Sequence, residues 1–209
     1  MKLLTMTQIT IDGVVQGNGG RNENRSGGFE RGGWARGAGD AETMALIDDT
    51  YRRADAFLFG RRTYDLFAGY WGAEERARVA AADPGGHPIT AALNTKPKYV
   101  ASTTLTDPAW AGTTVLSGDL SAAIGELKAR PGGELQVHGS GTLIQWLLEH
   151  DLVDEMILLV VPVILGQGMR LFRDTGGPDI AFDLVESRAD SKGVTIQVYR
   201  PNGRPQYAD

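Results

Sequence analysis

The chain has 209 residues, 42% of them hydrophobic and 22% charged, a globular balance with enough length for one domain and a real core. Lys and Arg number 21 against 26 Asp and Glu, a net charge of −5, which argues against a general nucleic-acid-binding role because phosphate contacts need a basic surface. No cysteine is present, so disulfides, thiolate catalysis, Cys-ligated zinc and iron–sulfur clusters are excluded together. The same absence fits a reducing, cytoplasmic setting. Glycine is abundant, 28 of 209 or about 13%, against a usual value of about 7%. The longest apolar run, Met156 to Leu165, is too short to span a bilayer. Thr5 and Gln8 interrupt the first apolar stretch, so no targeting segment is expected and no membrane partner.

Taken in chain order, the pattern alternates strands and helices. Leu3 to Ile11 reads as a strand ending at the turn pair Asp12-Gly13. Gly17 to Gly39 is a long loop rich in Gly, Arg and Asn that carries Phe29 and Trp34; loops of this length are usually functional or disordered. Asp40 is a natural N-cap, and Met44, Ile47, Tyr51 and Ala54 then recur at helical spacing. Ala56 to Phe59 is a short buried strand, and Arg61 to Phe67 opens a helix. Lys98 to Ser102 and Thr113 to Leu116 read as strands, and Leu120 to Arg130 as a helix closed by Pro131-Gly132-Gly133. Leu135 to His138 is a strand that turns through Gly139-Ser140-Gly141 into a helix from Thr142 to His150. Asp154 to Leu165 has the apolar run of a central parallel strand. Ile180 to Ser187 and Val194 to Arg200 form a terminal antiparallel pair. No repeat or linker divides the chain, so one α/β domain over residues 1–209 is the economical reading.

Three turns carry candidate chemistry. Gly139-Ser140-Gly141, between a strand and a helix, suits a pyrophosphate, because a helix N-terminus presents free N–H groups and a favourable dipole. The alternative is a tight turn with Ser140 as N-cap, and Ile144 stands where a Rossmann fingerprint needs its third glycine. Gly60-Arg61-Arg62-Thr63 also follows a strand. Two guanidiniums and a hydroxyl there suit phosphate groups; the alternative is a solvated helix start, although two guanidiniums beside the positive end of a helix are unfavourable unless an anion is present. Ser102-Thr103-Thr104 ends the next strand and fits either a phosphate or ribose contact or plain turn chemistry. All three lie at C-terminal strand ends, the edge at which open α/β sheets bind ligands.

The three histidines, His87, His138 and His150, have no metal-ligand spacing, and no nucleophile–base pair is evident. Metal binding is therefore not expected. Asp12, Asp40, Asp48 and Asp154-Glu155 are the candidate acids, with the proton expected from Asp40, Asp48 or water. Asp48 follows Met44 by one turn on a buried-looking face, where a carboxyl can be tuned as a general acid; solvent exposure at a helix boundary is the bland alternative, as N-capping is for Asp40.

These pieces together resemble the dihydrofolate-reductase-like superfamily, and more closely the reductase domain that forms the C-terminal half of the bifunctional riboflavin-biosynthesis deaminase–reductase. The resemblance is carried by Met6-Thr7-Gln8-Ile9-Thr10-Ile11-Asp12-Gly13, Phe57-Leu58-Phe59-Gly60-Arg61-Arg62-Thr63-Tyr64 and Lys98-Tyr99-Val100-Ala101-Ser102. It continues through Val137-His138-Gly139-Ser140-Gly141-Thr142-Leu143, Leu152-Val153-Asp154-Glu155 and the stretch from Val161 to Phe172. It implies a three-layer α/β/α fold with a mostly parallel sheet. It also implies an NADPH-dependent reductase of a planar pterin- or pyrimidine-like substrate, with 5-amino-6-(5-phosphoribosylamino)uracil as candidate; folate-type reduction and a non-catalytic NADPH-binding protein are the alternatives. On this resemblance Val137 and Gly139 to Leu143 cradle the pyrophosphate. Gly60, Arg61, Arg62 and Thr63 hold phosphates, Ser102 or Thr103 sits near the adenosine 2′-phosphate, and Gln8, Ile11 and Val15 border the nicotinamide. Phe29, Trp34, Phe67 and Trp71 line the substrate side as flat walls. Read from the residues alone, Arg21, Arg25, Arg31 and Arg36 in the long loop suit either contact with a phosphorylated substrate or a solvated mobile loop. The family's deaminase half is cysteine-dependent, so a stand-alone reductase is implied, as a homodimer.

Overall fold

The first strand, β1 (Lys2–Thr10), alternates its side chains between two apolar layers: Leu4 and Met6 enter one core, Leu3 and Ile9 the other. A strand buried on both faces belongs in the middle of a sheet, and β1 lies there. The structure, a computed structural model, describes residues 1–72, 87–172 and 177–208. The remaining strands are β2 (Ala54–Gly60), β3 (Lys98–Ala101), β4 (Thr113–Leu116), β5 (Glu134–His138), β6 (Glu155–Val161), β7 (Phe182–Ala189) and β8 (Thr195–Pro201). They form one eight-stranded sheet in the order β4-β3-β2-β5-β1-β6-β8-β7. Every pairing from β4 across to β6 is parallel; β8 runs antiparallel to β6, and β7 antiparallel to β8. The expected mostly parallel sheet with a terminal antiparallel pair is what the chain forms.

Among the described residues, five α-helices cover the sheet: α1 (Ala41–Arg53), α2 (Arg61–Trp71), α3 (Pro88–Thr95), α4 (Leu120–Ala129) and α5 (Gly141–Glu149). Side chains of α1, α2 and α3 pack with Leu4, Met6, Phe57, Phe59 and Val100 on one face; those of α4 and α5 pack with Leu3, Leu58, Leu135 and Val137 on the other. Phe57 and Phe59 are fully buried, each worth roughly 1.5–3 kcal/mol of transfer free energy. Among the described residues, no helix is long and apolar enough to cross a membrane.

Two elements differ from the sequence reading. The strand expected from Asp154 to Leu165 stops at Val161. Beyond Pro162 the backbone turns toward Asp12, whose carboxylate accepts from the Leu165 and Gly166 amides. Helix α3 went unread. Its eight residues show little periodicity, yet Pro88 presets the first turn, and Ile89, Ala92 and Leu93 are buried. Its C-terminus is finished by the buried Lys98, whose ammonium donates to the Leu93 and Lys96 carbonyls from above the Trp110 ring.

Candidate active site

The C-terminal ends of β2 and β5 are neighbours in the sheet, and each leads directly into a helix. Helices α2 and α5 therefore begin side by side. Neither N-terminus has a side-chain cap, whereas Asp40 caps α1 and Asp119 caps α4. Ser140 occupies the N-cap position of α5 with both it and Gly139 in the left-handed region, at φ 55° and 62°. Its hydroxyl does not turn back on its own helix. It accepts instead from the Gly60 amide at 3.1 Å, the N-cap residue of α2. The Ser140-capped turn weighed from the sequence is therefore not formed. The first main-chain bond of α5 is Ile144 N–H to the Ser140 carbonyl, so the amides of Gly141, Thr142 and Leu143 precede the helical ladder.

The surroundings fit an anion. Thr63 lies beside Gly139, where an added Cβ would stand 3.6 Å from its methyl group. Arg62 is exposed in the first turn of α2 and makes no ion pair among the described residues. Arg61 turns away: its Nε donates to both carboxylate oxygens of Asp65, at 3.0 and 2.8 Å. The donor set fits a dinucleotide's phosphates, with Arg62 rather than Arg61 as the available guanidinium.

Residues Val14 to Gln16 and Met169 to Leu171 form a strap over this edge. Val14 bridges Arg170, and the Val15 amide donates to the Met169 carbonyl. The strap rests on Gly141, where any Cβ would come within 3.1 Å of Val15 Cγ2. Gln16 is buried and anchors the long loop. Its Nε2 donates to the Asn24 and Ser26 carbonyls, its Oε1 accepts from Met169 N–H, and its own carbonyl accepts from Trp34 Nε1. The loop expected from Gly17 to Gly39 thus takes a defined path, including a single 3-10 turn at Ser26–Gly28. A cleft of about 580 Å³ lies between this loop and the strap, with Gln16, Phe29, Met169, Arg170 and Phe172 in its wall.

The other expected residues divide. Gln8 accepts from Asn18 Nδ2 at 2.8 Å, Ile11 is exposed at the end of β1, and Val15 sits on the strap. Trp34, Phe67 and Trp71 are partly buried against the core layer of α1 and α3. Phe29 gives only the edge of its ring to the cleft wall. It is 3% exposed and packs with Val14 and Leu165 as the loop's own core. Val137 faces the α4–α5 layer and is fully buried, so its side chain touches no ligand; the Leu143 side chain is buried there too, leaving only its amide to serve. Ser102 Oγ accepts from the Thr104 and Leu105 amides, which is turn chemistry, and Thr103 beside it is exposed. Of the loop arginines, Arg31 donates to the Leu165 carbonyl and Arg25 pairs with Glu30.

Asp40 does not suit proton donation. It accepts from the Glu42 and Thr43 amides and from the Ser191 hydroxyl and amide. The Ser191 bonds foremost hold its carboxyl below the usual range, so it is ionised near neutrality. Asp48 is half-buried on α1 with Oδ1 buried and without a partner. His138 lies in the core, stacked on Tyr51 at 4.0 Å and paired with Gln136. Burial pushes its pKa down to about 3, so it is neutral and structural. Gln16, which anchors the loop, carries no motif, whereas Asp12, which holds the strap, belongs to the Asp12-Gly13 turn that closes the first strand.

The fold and this edge define a dihydrofolate-reductase-like α/β domain. The chain belongs to the RibD C-terminal domain family, whose model matches residues 1–196. It is 28% identical over 196 residues to the uncharacterized protein YyaP of Bacillus subtilis (strain 168), covering 93% of this chain and 92% of that one. A putative riboflavin biosynthesis protein from Shewanella sp. PV-4 shares the fold with a TM-score of 0.63 at 23% identity, over 97% of this chain and 99% of the other. A pyrimidine reductase-like protein from Corynebacterium diphtheriae superposes with a TM-score of 0.62 at 14% identity, over 96% and 92% of the two chains.

Proposed function

We propose that the chain is an NADPH-dependent reductase of a flat pyrimidine-like heterocycle, with 5-amino-6-(5-phosphoribosylamino)uracil as the leading candidate. The observation that carries this reading is the pair of uncapped helix N-termini locked together by Ser140 and Gly60. Membership of the RibD C-terminal family supports it. NADPH, when bound, supplies the hydride. The amides of Gly141, Thr142 and Leu143 and the side chains of Thr63 and Arg62 hold the phosphates. Gln8, Ile11 and Val15 border the nicotinamide. Trp34, Phe67 and Trp71 orient the substrate and exclude water from one side. Asp48 is the carboxyl left to move a proton, since the Asp40 oxygens are taken up in capping α1 and holding Ser191.

The test is loss of NADPH absorbance on mixing the protein with the deaminated ribosylaminopyrimidine, with dihydrofolate as a parallel substrate. Turnover of the pyrimidine alone supports the proposal. Turnover of neither, in protein that binds NADPH, replaces it with a binding role. We further propose that two copies associate along the edge strand β7, whose Leu184 and Val185 are 56% and 46% exposed; sedimentation at micromolar concentration tests this.

A further inference from the structure

The cleft of about 580 Å³ between the long loop and the strap serves no step of the proposed reaction. Its volume is that of a small-molecule site. Ser26, Gly27 and the edge of Phe29 form its loop side; Met169, Arg170 and Phe172 form the other. The two sides are held at a fixed spacing by one buried side chain. Gln16 Nε2 donates to the Asn24 and Ser26 carbonyls on the loop, and Gln16 Oε1 accepts from the Met169 amide on the strap. The Phe29 ring is fixed as well. A Cβ at Gly17 would come within 3.0 Å of it and one at Gly168 within 2.8 Å, so both glycines make room for it. The cleft is thus preformed in the free chain.

Among the described residues, Arg170 is the one charged side chain in the wall, and no carboxylate lines it. Arg170 Nε donates to the Asp12 main-chain carbonyl at 2.8 Å. Its Nη2 stands 3.6 Å from Asp12 Oδ2, too far for a hydrogen bond. The Asp12 carboxylate is already engaged by the Thr10 hydroxyl and the Leu165 and Gly166 amides. The terminal nitrogens of Arg170 therefore keep donors for another acceptor. Phe172 lies in the same wall with 49% of its surface exposed, and Met169 adds a polarisable thioether. We infer that this cleft binds a small aromatic carboxylate, at a site separate from the dinucleotide's. The Arg170 guanidinium takes the carboxylate, and Phe172 and Met169 take the ring. A lone guanidinium matches a single negative charge, which favours a carboxylate over a doubly charged phosphate.

The probes are 2-naphthoate and its neutral counterpart 2-naphthamide, titrated by their own fluorescence into wild type, Arg170→Gln and Phe172→Ala at pH 7.5. Wild type is expected to bind naphthoate about tenfold more tightly than naphthamide, the difference being the charge-assisted pair with Arg170. Arg170→Gln abolishes that preference, and Phe172→Ala weakens both probes about fivefold by removing the ring face. Saturating NADPH leaves naphthoate bound to wild type. Equal affinity of wild type for the two probes, or no binding of either, overturns the inference. So does an unchanged preference in Arg170→Gln. Displacement of naphthoate by NADPH overturns it too, by giving the cleft to the nucleotide. Naphthoate binding with the expected preference by a protein that takes no nucleotide sinks the NADPH assignment and leaves this site standing.

Discussion

The Ser140 hydroxyl accepts a hydrogen bond from the Gly60 amide at 3.1 Å and so joins the N-termini of α2 and α5. A serine at an N-cap ordinarily satisfies its own helix. Here the hydroxyl serves the neighbouring helix, and the first amides of α5 remain available. Two positive helix ends held together repel each other mildly, and an anion between them removes that cost.

Substituting Ser140 separates the two roles of this residue. Ser140→Ala loses the bond to Gly60 and costs about 1 kcal/mol of stability. Ser140→Gly loses the same bond but relieves the left-handed backbone at φ 55°, which for a side-chain-bearing residue costs roughly 1–2 kcal/mol. Both variants are expected to bind NADPH five- to tenfold more weakly in a fluorescence titration, while thermal melting shows Ser140→Gly at or above Ser140→Ala. Full nucleotide affinity in both would make the bond purely structural.

His138 predicts an acid limb in the stability profile. Its pKa falls to about 3 in the folded chain, from burial, against 6.5 when free. Below pH 6.5 the unfolded chain takes up a proton that the folded chain refuses until about pH 3. Stability is therefore whole above pH 6.5 and declines as pH falls, by up to about 1.4 kcal/mol per unit from this group. Urea unfolding at a series of pH values measures the slope. His138→Phe is expected to flatten it between pH 6 and 4.

Asp12 acts as the latch of the strap. The Thr10 hydroxyl, foremost, together with the Gly166 and Leu165 amides, holds its pKa down to about 2 against an ordinary 3.8. A depressed carboxyl stabilises above its free value and loses that contribution as pH falls toward the folded one, so the latch weakens only in strong acid. Asp12→Asn is expected to speed hydrogen exchange at the Leu165 and Gly166 amides at least tenfold at neutral pH. Unchanged exchange there would mean that the Val14–Arg170 bridge alone closes the strap.

Asp40 belongs to a different network. It caps α1 and grips Ser191, while Asp190 accepts from the Asp40 amide and the Thr43 hydroxyl. Asp40→Ala should lower Tm and leave the steady-state rate within twofold of wild type. A large fall in kcat without a loss of stability would return Asp40 to the chemistry.

Much of the fold was legible because three strands, β1, β2 and β5, run into glycine turns. Gly13, Gly60 and Gly139 mark the three strand ends that build the site. Helix α3 was not legible: its C-terminal cap is Lys98, a charged residue buried by carbonyls rather than by any local pattern. The phosphate edge was half legible. The sequence placed Arg61 and Arg62 together, but the choice between them rests on Asp65 one turn later, a rotamer decision. Phe29 shows the opposite limit. An aromatic in a glycine-rich loop suggests a ligand wall, yet Gly17 and Gly168 make room for its ring inside the loop.

The central claim is that the joined N-termini bind a phosphorylated nicotinamide dinucleotide. The most direct measurement is a titration of NADPH and NADH, by cofactor fluorescence, into wild type and Arg62→Ala. Binding of NADPH by wild type, weakened at least tenfold in Arg62→Ala, is the predicted result. No binding of either nucleotide to folded wild type would contradict the account.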